Sequence, residues 1–284
     1  MRFAFAGIDF LADAFDGFVA AGWRPMMLFT RPCDGLHDFN ERIVAEAATR
    51  KLPIQMSRIT PGDLAALGQA GCECLVVAGY PWRIPPWREH LRYALNFHPS
   101  PLPEGRGPYP LYRAILDGRA DWGMSAHVLD DAYDTGAMLG RERFALSPLE
   151  THETLLARCQ MATRRIARGL AANFPAAWAA AEPQVGGSYY PRASDADRTL
   201  DFRLPVEMLM RRVRAFGVVE TLAPLGPGTI HVAQAHGWEE AHDLAPGTVV
   251  HQYRRVITVA AKDGYVAITR WSPVSLDAAR NLGR

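Results

Sequence analysis

The chain has 284 residues, 49% hydrophobic and 21% charged, a balance that describes a globular protein of one large or two modest domains and excludes a disordered or fibrous one. Its formal net charge of +1 comes with no clustered basic face, so nucleic acid is not an expected partner, because such binding rests on phosphate contacts that release counterions. Apolar runs are broken by Arg, Asp, Gly or Pro before bilayer length, and acid appears within the opening MRFAFAGIDF, so no signal peptide and no membrane segment are expected, and the cytoplasm is the expected compartment.

Metal chemistry is not expected either. Cys33, Cys72, Cys74 and Cys159 are too scattered for a disulfide framework, and Cys72-x-Cys74 lacks the second pair that zinc would need. None of the nine histidines forms the i, i+4 pair of a helical metal site.

From the N-terminus, Arg2 to Gly7 reads as a buried strand, Phe10 to Ala21 has helical apolar spacing, and Met26 to Thr30 repeats the strand pattern. A strand, a glycine and a helix invite a dinucleotide-binding reading, but Gly7-Ile8-Asp9-Phe10-Leu11-Ala12 holds one glycine where that fingerprint needs three. Arg31 to Asn40 reads as a loop with Pro32, Gly35 and the acids Asp34 and Asp38, followed by a helix from Glu41 to Arg50. Cys74 to Tyr80 is a continuous apolar run, the mark of a parallel strand covered on both faces, and Pro81 ends it.

The densest chemistry lies between Leu95 and Gly136. If Ala94 to His98 ends a strand, Asn96 and His98 leave the same face and aim an amide and an imidazole at one point. The three prolines of Pro99-Ser100-Pro101-Leu102-Pro103 remove ladder donors, so the chain must leave the sheet there as a rigid loop. A polar pair at the carboxyl end of a strand in an open parallel sheet is where ligands collect. Asp134 arrives in the turn-prone Tyr133-Asp134-Thr135-Gly136, after the alternating Ser125 to Leu129, and can reach the imidazole from a loop. An amide to bind a tetrahedral oxyanion, an imidazole to move a proton and a carboxylate to set its charge are what acyl transfer to an amine needs. Ser100 has no Gly-x-Ser-x-Gly elbow around it and is not expected to act as a nucleophile.

Between site and helix, Glu104-Gly105-Arg106-Gly107 reads as a turn whose amides, with Arg106, can meet an anionic group as well as serve structure. A helix is expected over Pro108 to Leu116, with Pro110 tolerated in its first turn. Thr151 is a plausible cap for a long helix through Leu155, Ala162, Ile166 and Leu170. Glu182 to Ser188 is rich in breakers and marks the domain boundary. Beyond it, Val206 to Phe216 reads as an amphipathic helix. Thr229 to Val232, Thr248 to His251, Val256 to Ala260 and Val266 to Thr269 then read as short strands of a small β-rich domain. From Val206 on there are nine Arg and Lys against seven Asp and Glu, so this domain is no electrostatic platform for RNA.

The order Asn96-x-His98-Pro99-Ser100-x-Leu102-Pro103, then Arg106-Gly107, Ala114-Ile115-x-x-Gly118 and Asp134-x-Gly136 resembles the formyltransferase family that uses 10-formyltetrahydrofolate. The resemblance is strong from Arg2 to about Leu149 and fainter beyond. It implies a Rossmann-like α/β domain with a mostly parallel sheet over residues 1–185, a linker over 186–205 and an OB-like β-rich domain over 206–284. It implies that Asn96, His98 and Asp134 are catalytic. Arg83, Ile84, Pro85, Asp131 and Tyr133 would contact the folate, and Ser100, Arg106 and Gly107 the acceptor. In relatives that act on tRNA, the loop matching Arg31 to Asn40 is longer and more basic. The expected acceptor is therefore a small-molecule amine or hydroxylamine, such as a nucleotide-linked amino sugar, hydroxyornithine or an antibiotic precursor. A methionyl-tRNA formyltransferase and a 10-formyltetrahydrofolate hydrolase stay open as alternatives. His127 matches a histidine of some relatives but, flanked by Ala126 and Val128, reads equally as structural. A homodimer through the second domain or an exposed sheet edge is compatible with the sequence.

Overall fold

In the computed structural model, residues 1–35 and 38–275 are described. Residues 36 and 37 of the expected loop and 276–284 of the expected second domain lie outside them. Two compact units emerge, one of Met1–Pro110, Asp121–Ala145 and Leu156–Tyr190, the other of Leu111–Ala120, Leu146–Leu155 and residues 191 onward. Among the described residues, no helix is long and apolar enough to cross a membrane.

The first unit is built on β1 (Arg2–Gly7), α1 (Asp13–Ala20), β2 (Arg24–Phe29), α2 (Glu41–Thr49), β3 (Ile54–Gln55), α3 (Pro61–Gln69), β4 (Cys74–Ala78) and β5 (Tyr93–His98). Beyond them come α4 (Pro110–Leu116), which counts with the other unit from Leu111 on, β6 (Asp121–Val128), β7 (Met138–Ala145), α5 (His152–Ala172), whose first residues through Leu155 count with the other unit, and α6 (Phe174–Ala179). The sheet order is β3-β2-β1-β4-β5-β6-β7. Every pair from β3 to β5 is parallel, and β6 and β7 are antiparallel. The expected mostly parallel, Rossmann-like sheet is what forms.

Alternation along the strands loads both faces. On one, Phe3 and Phe5 meet Phe15, and Phe97 meets Phe18 at a ring separation of 6.2 Å. On the other, Ala4, Ala6, Leu75, Val77 and Ala94 pack with Leu64 and Leu67 of α3. Asn96 and His98 follow Ala94 at the strand's period of two, so they emerge on this second face. The expected long helix is α5, with Ala162, Ala167 and Leu170 buried. It lies close enough to α1 that a Cβ on Gly17 would sit 2.6 Å from that of Ala167.

Several elements differ from the sequence expectation for local reasons. The segment expected as one helix over Phe10 to Ala21 splits into a 3-10 turn at Asp9–Leu11 and α1, and the Asp9 carboxylate accepts the amides of Arg42 at 3.0 Å and Ile43 at 2.9 Å and so caps α2. Helix α3 was not anticipated, although Thr60 and Asp63 form a reciprocal capping box ahead of it. Strand β6 starts at Asp121 and is buried from Trp122 to His127, because neighbours pair with it on both edges. Strand β7 is concealed in sequence by Arg141, Glu142 and Arg143, which are satisfied by the Leu102 carbonyl, Arg165 and Asp121. Helix α4 begins at Pro110, two residues later than expected, since Tyr109 takes a φ of +58°.

In the second unit, α7 (Asp195–Arg198) and α8 (Val206–Phe216) precede β8 (Thr221–Leu225), β9 (Gly228–Glu239), β10 (Val249–Tyr253), β11 (Val256–Ala260) and β12 (Gly264–Ser272). The strands form one antiparallel sheet in the order β10-β11-β12-β9-β8. Helix α8 lays Val206, Leu209 and Val213 on a core with Val232, Val259, Val266 and Ile268. Asp263 accepts the Val206 amide at 2.8 Å and so caps α8 from the far end of the sheet. This is the expected β-rich domain. Strand β8 was missed, and β9 is far longer than Thr229 to Val232.

Candidate active site

Strand β5 delivers Asn96 and His98 to the carboxyl end of the sheet, and the loop after β6 brings Asp134 to them. His98 Nδ1 lies 3.4 Å from Asp134 Oδ1. Asn96 Nδ2 lies 3.4 Å from the same oxygen. All three predicted catalytic side chains therefore converge on one carboxylate.

The hydrogen-bond chemistry fixes the ring tautomers. His98 Nε2 is 2.8 Å from the Gly105 carbonyl oxygen, which can only accept, so Nε2 carries the hydrogen and a neutral ring presents its lone pair at Nδ1. His127 Nδ1 is 2.8 Å from the Val128 carbonyl and so carries a hydrogen; in the neutral ring its Nε2 takes the Asn96 amide at 3.2 Å, and in the protonated ring Nε2 turns a donor toward Asp134 Oδ1, 3.7 Å away. His127 is thus part of the site, within reach of both Asn96 and Asp134.

Burial of the His98 ring pushes its pKa below the ordinary histidine value, against Asp134 and the Gly105 carbonyl, which favour the charged form, while His127 lowers it further. For Asp134, burial raises the pKa, but the His127 and His98 rings and the Gly107 amide outweigh it and hold the carboxyl at about 2. Asp134 is consequently ionised throughout the neutral range. Its Oδ2 accepts the Gly107 amide at 2.9 Å. Its backbone sits at a φ of +58°, a region that aspartate tolerates better than most non-glycine residues.

Two residues here, Gln184 and Ser188, escape sequence reasoning. Gln184 donates to the Asp134 carbonyl at 2.9 Å and the Gly136 carbonyl at 2.8 Å. Its Oε1 accepts Arg106 Nε at 3.1 Å and Nη2 at 2.9 Å. Ser188 accepts the Gly105 amide at 2.9 Å and so sets the peptide whose carbonyl binds His98. Residues from Gln184 to Ser188 read as boundary and linker, and the only signal in them was their polarity.

The other expected contacts distribute unevenly. Arg83 donates to the Asp131 carbonyl at 2.7 Å, which joins the loop after β4 to the loop carrying Asp134. Ile84 packs against the core, Pro85 is half-buried, and Tyr133 is 66% exposed. Gly107 meets Asp134 through its amide. Arg106 is turned toward Gln184. Ser100, expected on the acceptor side, is fully buried beneath Gly105, where an added Cβ would stand 3.2 Å from that of Ser100. Its hydroxyl has no partner among the described residues and is closed off from an incoming molecule. No group of three or more metal-ligating side chains occurs among the described residues.

Residues 35–167 match the family described as formyl transferase, and residues 192–277 match the formyl transferase C-terminal domain. The methionyl-tRNA formyltransferase of Bordetella petrii is 30% identical over 94% of this chain and 91% of its own length. That of Thiobacillus denitrificans is 30% identical over 94% and 90%. Among solved structures, an N-formyltransferase from Helicobacter canadensis, in complex with folinic acid and dTDP-3-aminofucose, shares the fold. Its TM-score is 0.67 at 13% identity, over 95% of this chain and 99% of that one. HypX from Aquifex aeolicus, in complex with tetrahydrofolic acid, gives a TM-score of 0.68 at 18% identity over 95% of this chain and 44% of that one. With both domains matched in order and relatives aligned almost end to end, the chain belongs to the formyl transferase family and is a folate-dependent N-formyltransferase.

Proposed function

We propose that the protein moves the formyl group of 10-formyltetrahydrofolate onto the α-amine of an aminoacyl-tRNA. The observation that carries the acceptor is the alignment with methionyl-tRNA formyltransferases through both domains. A small-molecule amine is the second reading, favoured by a specific feature: in the described part of the loop from Arg31 to Asn40, Arg31 is paired with Asp38, which leaves it no cation to offer a phosphate.

The loop after β4 fits a pterin. Among the described residues, the amides of Trp82, Arg83 and Ile84 and the carbonyls from Pro81 to Pro86 make no backbone hydrogen bond, so they are available to the donor and acceptor edge of such a ring. Arg83, Ile84 and Pro85, with Asp131 and Tyr133 opposite, would hold it there. The bound folate supplies an activated formyl carbonyl.

The chain's own groups then divide the work. Asn96 exchanges the longer of its two contacts, the 3.4 Å approach to Asp134, for a hydrogen bond to the oxyanion that forms when the amine attacks. His98 takes the proton of the attacking amine at Nδ1, the one ring position left open by the Gly105 carbonyl, and returns it to the departing folate nitrogen as the bond between that nitrogen and the formyl carbon breaks. Asp134, ionised and fixed by the Gly107 amide, stabilises the resulting imidazolium without itself becoming protonated. Arg106 and Gly107 line the side on which the acceptor enters.

The test is formyl transfer from 10-formyltetrahydrofolate to methionyl initiator tRNA, to nucleotide-linked amino sugars and to no acceptor. Formylation of the tRNA with the higher kcat/KM supports the first reading, and preference for the sugars supports the second. Release of formate without any acceptor, at the same rate as with one, overturns both in favour of a hydrolase.

A further inference from the structure

We infer that Gln184 is a positioning residue for formyl transfer: its side-chain amide, stretched from the Arg106 guanidinium to the carbonyls of Asp134 and Gly136, keeps the Asp134 loop turned toward His98. This rests on the reading of Asn96, His98 and Asp134 as catalytic.

A primary amide has two donor hydrogens and one oxygen with two lone pairs, and Gln184 uses all four. Its oxygen takes two N–H groups of Arg106, at 3.1 and 2.9 Å. Its nitrogen gives to two carbonyls, at 2.9 and 2.8 Å. The orientation is unambiguous, because a guanidinium only donates and a carbonyl only accepts. A flipped amide would lose every one of these bonds.

What the amide holds is a turn that needs holding. Asp134 lies in the left-handed region at a φ of +58°, which aspartate tolerates better than most non-glycine residues but which stays less favourable than the ordinary region. The side chain is fixed by the Gly107 amide at 2.9 Å, but the backbone on either side of it is fixed by Gln184. Inside the turn Thr135 Oγ1 donates to the Ala132 carbonyl at 3.2 Å, and toward its ends the Val128 amide meets the Ala137 carbonyl at 2.8 Å and Arg83 holds the Asp131 carbonyl. None of these grips the carbonyls of Asp134 and Gly136, so without the glutamine those peptides can relax toward the ordinary region and carry the carboxylate away from His98 Nδ1. The same amide ties Arg106, on the acceptor side, to the loop of the catalytic carboxylate, so the two loops are set by one side chain fifty positions downstream of Asp134.

Two variants separate this from a bulk packing role. Gln184→Met keeps the length and loses all four bonds. Gln184→Glu keeps the acceptors for Arg106 but sets a carboxylate against two carbonyls, and Asp134→Asn serves as reference. The readouts are kcat, KM for 10-formyltetrahydrofolate, and the NMR titration of the His98 ring in the ligand-free protein. Asp134, His127 and the Gly105 carbonyl are the groups facing that ring.

Both Gln184 variants are expected to lose about 10- to 100-fold in kcat, the scale of a misplaced catalytic group, with KM for the donor unchanged. The His98 titration should move to lower pH, because Asp134 is the main influence raising it. Parental kcat in Gln184→Met, with Asp134→Asn crippled, overturns the inference and leaves the site reading intact. A fall in kcat with an unmoved His98 titration also overturns it, since the role is then structural. Should Gln184→Met not fold, Gln184→Glu decides on the same criteria. Parental kcat in Asp134→Asn overturns the reading of the site itself.

Discussion

His98, at the end of β5, faces Asp134 of the loop after β6: the Nδ1 atom of His98 is 3.4 Å from one carboxylate oxygen of Asp134, while the other oxygen takes the Gly107 amide at 2.9 Å. The imidazole is held at its far nitrogen by the Gly105 carbonyl at 2.8 Å. A neutral ring held at Nε2 has one place to receive a proton, and that place faces an anion.

Replacing His98 with Ala, or Asp134 with Asn, is therefore expected to lower kcat by about two to four powers of ten. Binding of the folate should persist in both variants. Steady-state kinetics with titration of the donor by fluorescence checks this, and turnover of His98→Ala within about tenfold of the parent contradicts the assigned role.

Stability should fall on acidification, and more in the parent than in Asp134→Asn. The Asp134 carboxyl drops from 3.8 to about 2 on folding, which corresponds to about 2 kcal/mol. Because the folded value is the lower one, this contribution is fully present above the unfolded pKa and disappears as pH falls from near 4 through 2. The lowered His98 pKa acts in the same direction at higher pH, since the unfolded chain binds the proton first. Urea denaturation between pH 7 and pH 2 should show the parent losing its advantage over Asp134→Asn toward the acid end.

Gly107→Ala should damage activity beyond its effect on folding. Gly107 has a φ of +99°, and a Cβ there would stand 2.5 Å from the Tyr190 carbonyl oxygen. Relief of that clash moves the amide that fixes Asp134 Oδ2. We expect at least about a tenfold loss of kcat, measured at a temperature where circular dichroism shows the variant still folded.

Thr60→Ala tests a purely structural feature. Its hydroxyl accepts the Asp63 amide at 3.2 Å and its own amide gives to Asp63 Oδ2 at 2.7 Å, closing the cap of α3. Loss of the hydroxyl is expected to cost about 1 kcal/mol of stability with kcat unchanged, read from a thermal melt and the standard assay.

The elements that the amino-acid pattern announces are those whose signal is local. Phe3 and Phe5 alternate with Ala4 and Ala6, Cys74 to Ala78 are apolar without a break, and both runs became central strands of the sheet. Asn96 and His98 were legible as a pair because a strand has a period of two, and Asp134 because a turn-prone segment delivers it. Ion-pair partners are not local. Arg141, Glu142 and Arg143 read as solvated until the fold sets Leu102, Arg165 and Asp121 beside them, which is why β7 went unseen.

What the sequence by itself determined is the mostly parallel sheet, a β-rich C-terminal domain and the polar side chains that gather at the sheet's carboxyl end, because periodicity and residue chemistry are carried by neighbours along the chain. Only the tertiary structure decided which nitrogen of His98 is free, that Ser100 is sealed under Gly105, and that Gln184 holds the Asp134 loop. Each of these depends on a carbonyl, an amide or a backbone angle contributed by a distant segment, and hydrogen-bond direction is settled only when donor and acceptor stand face to face.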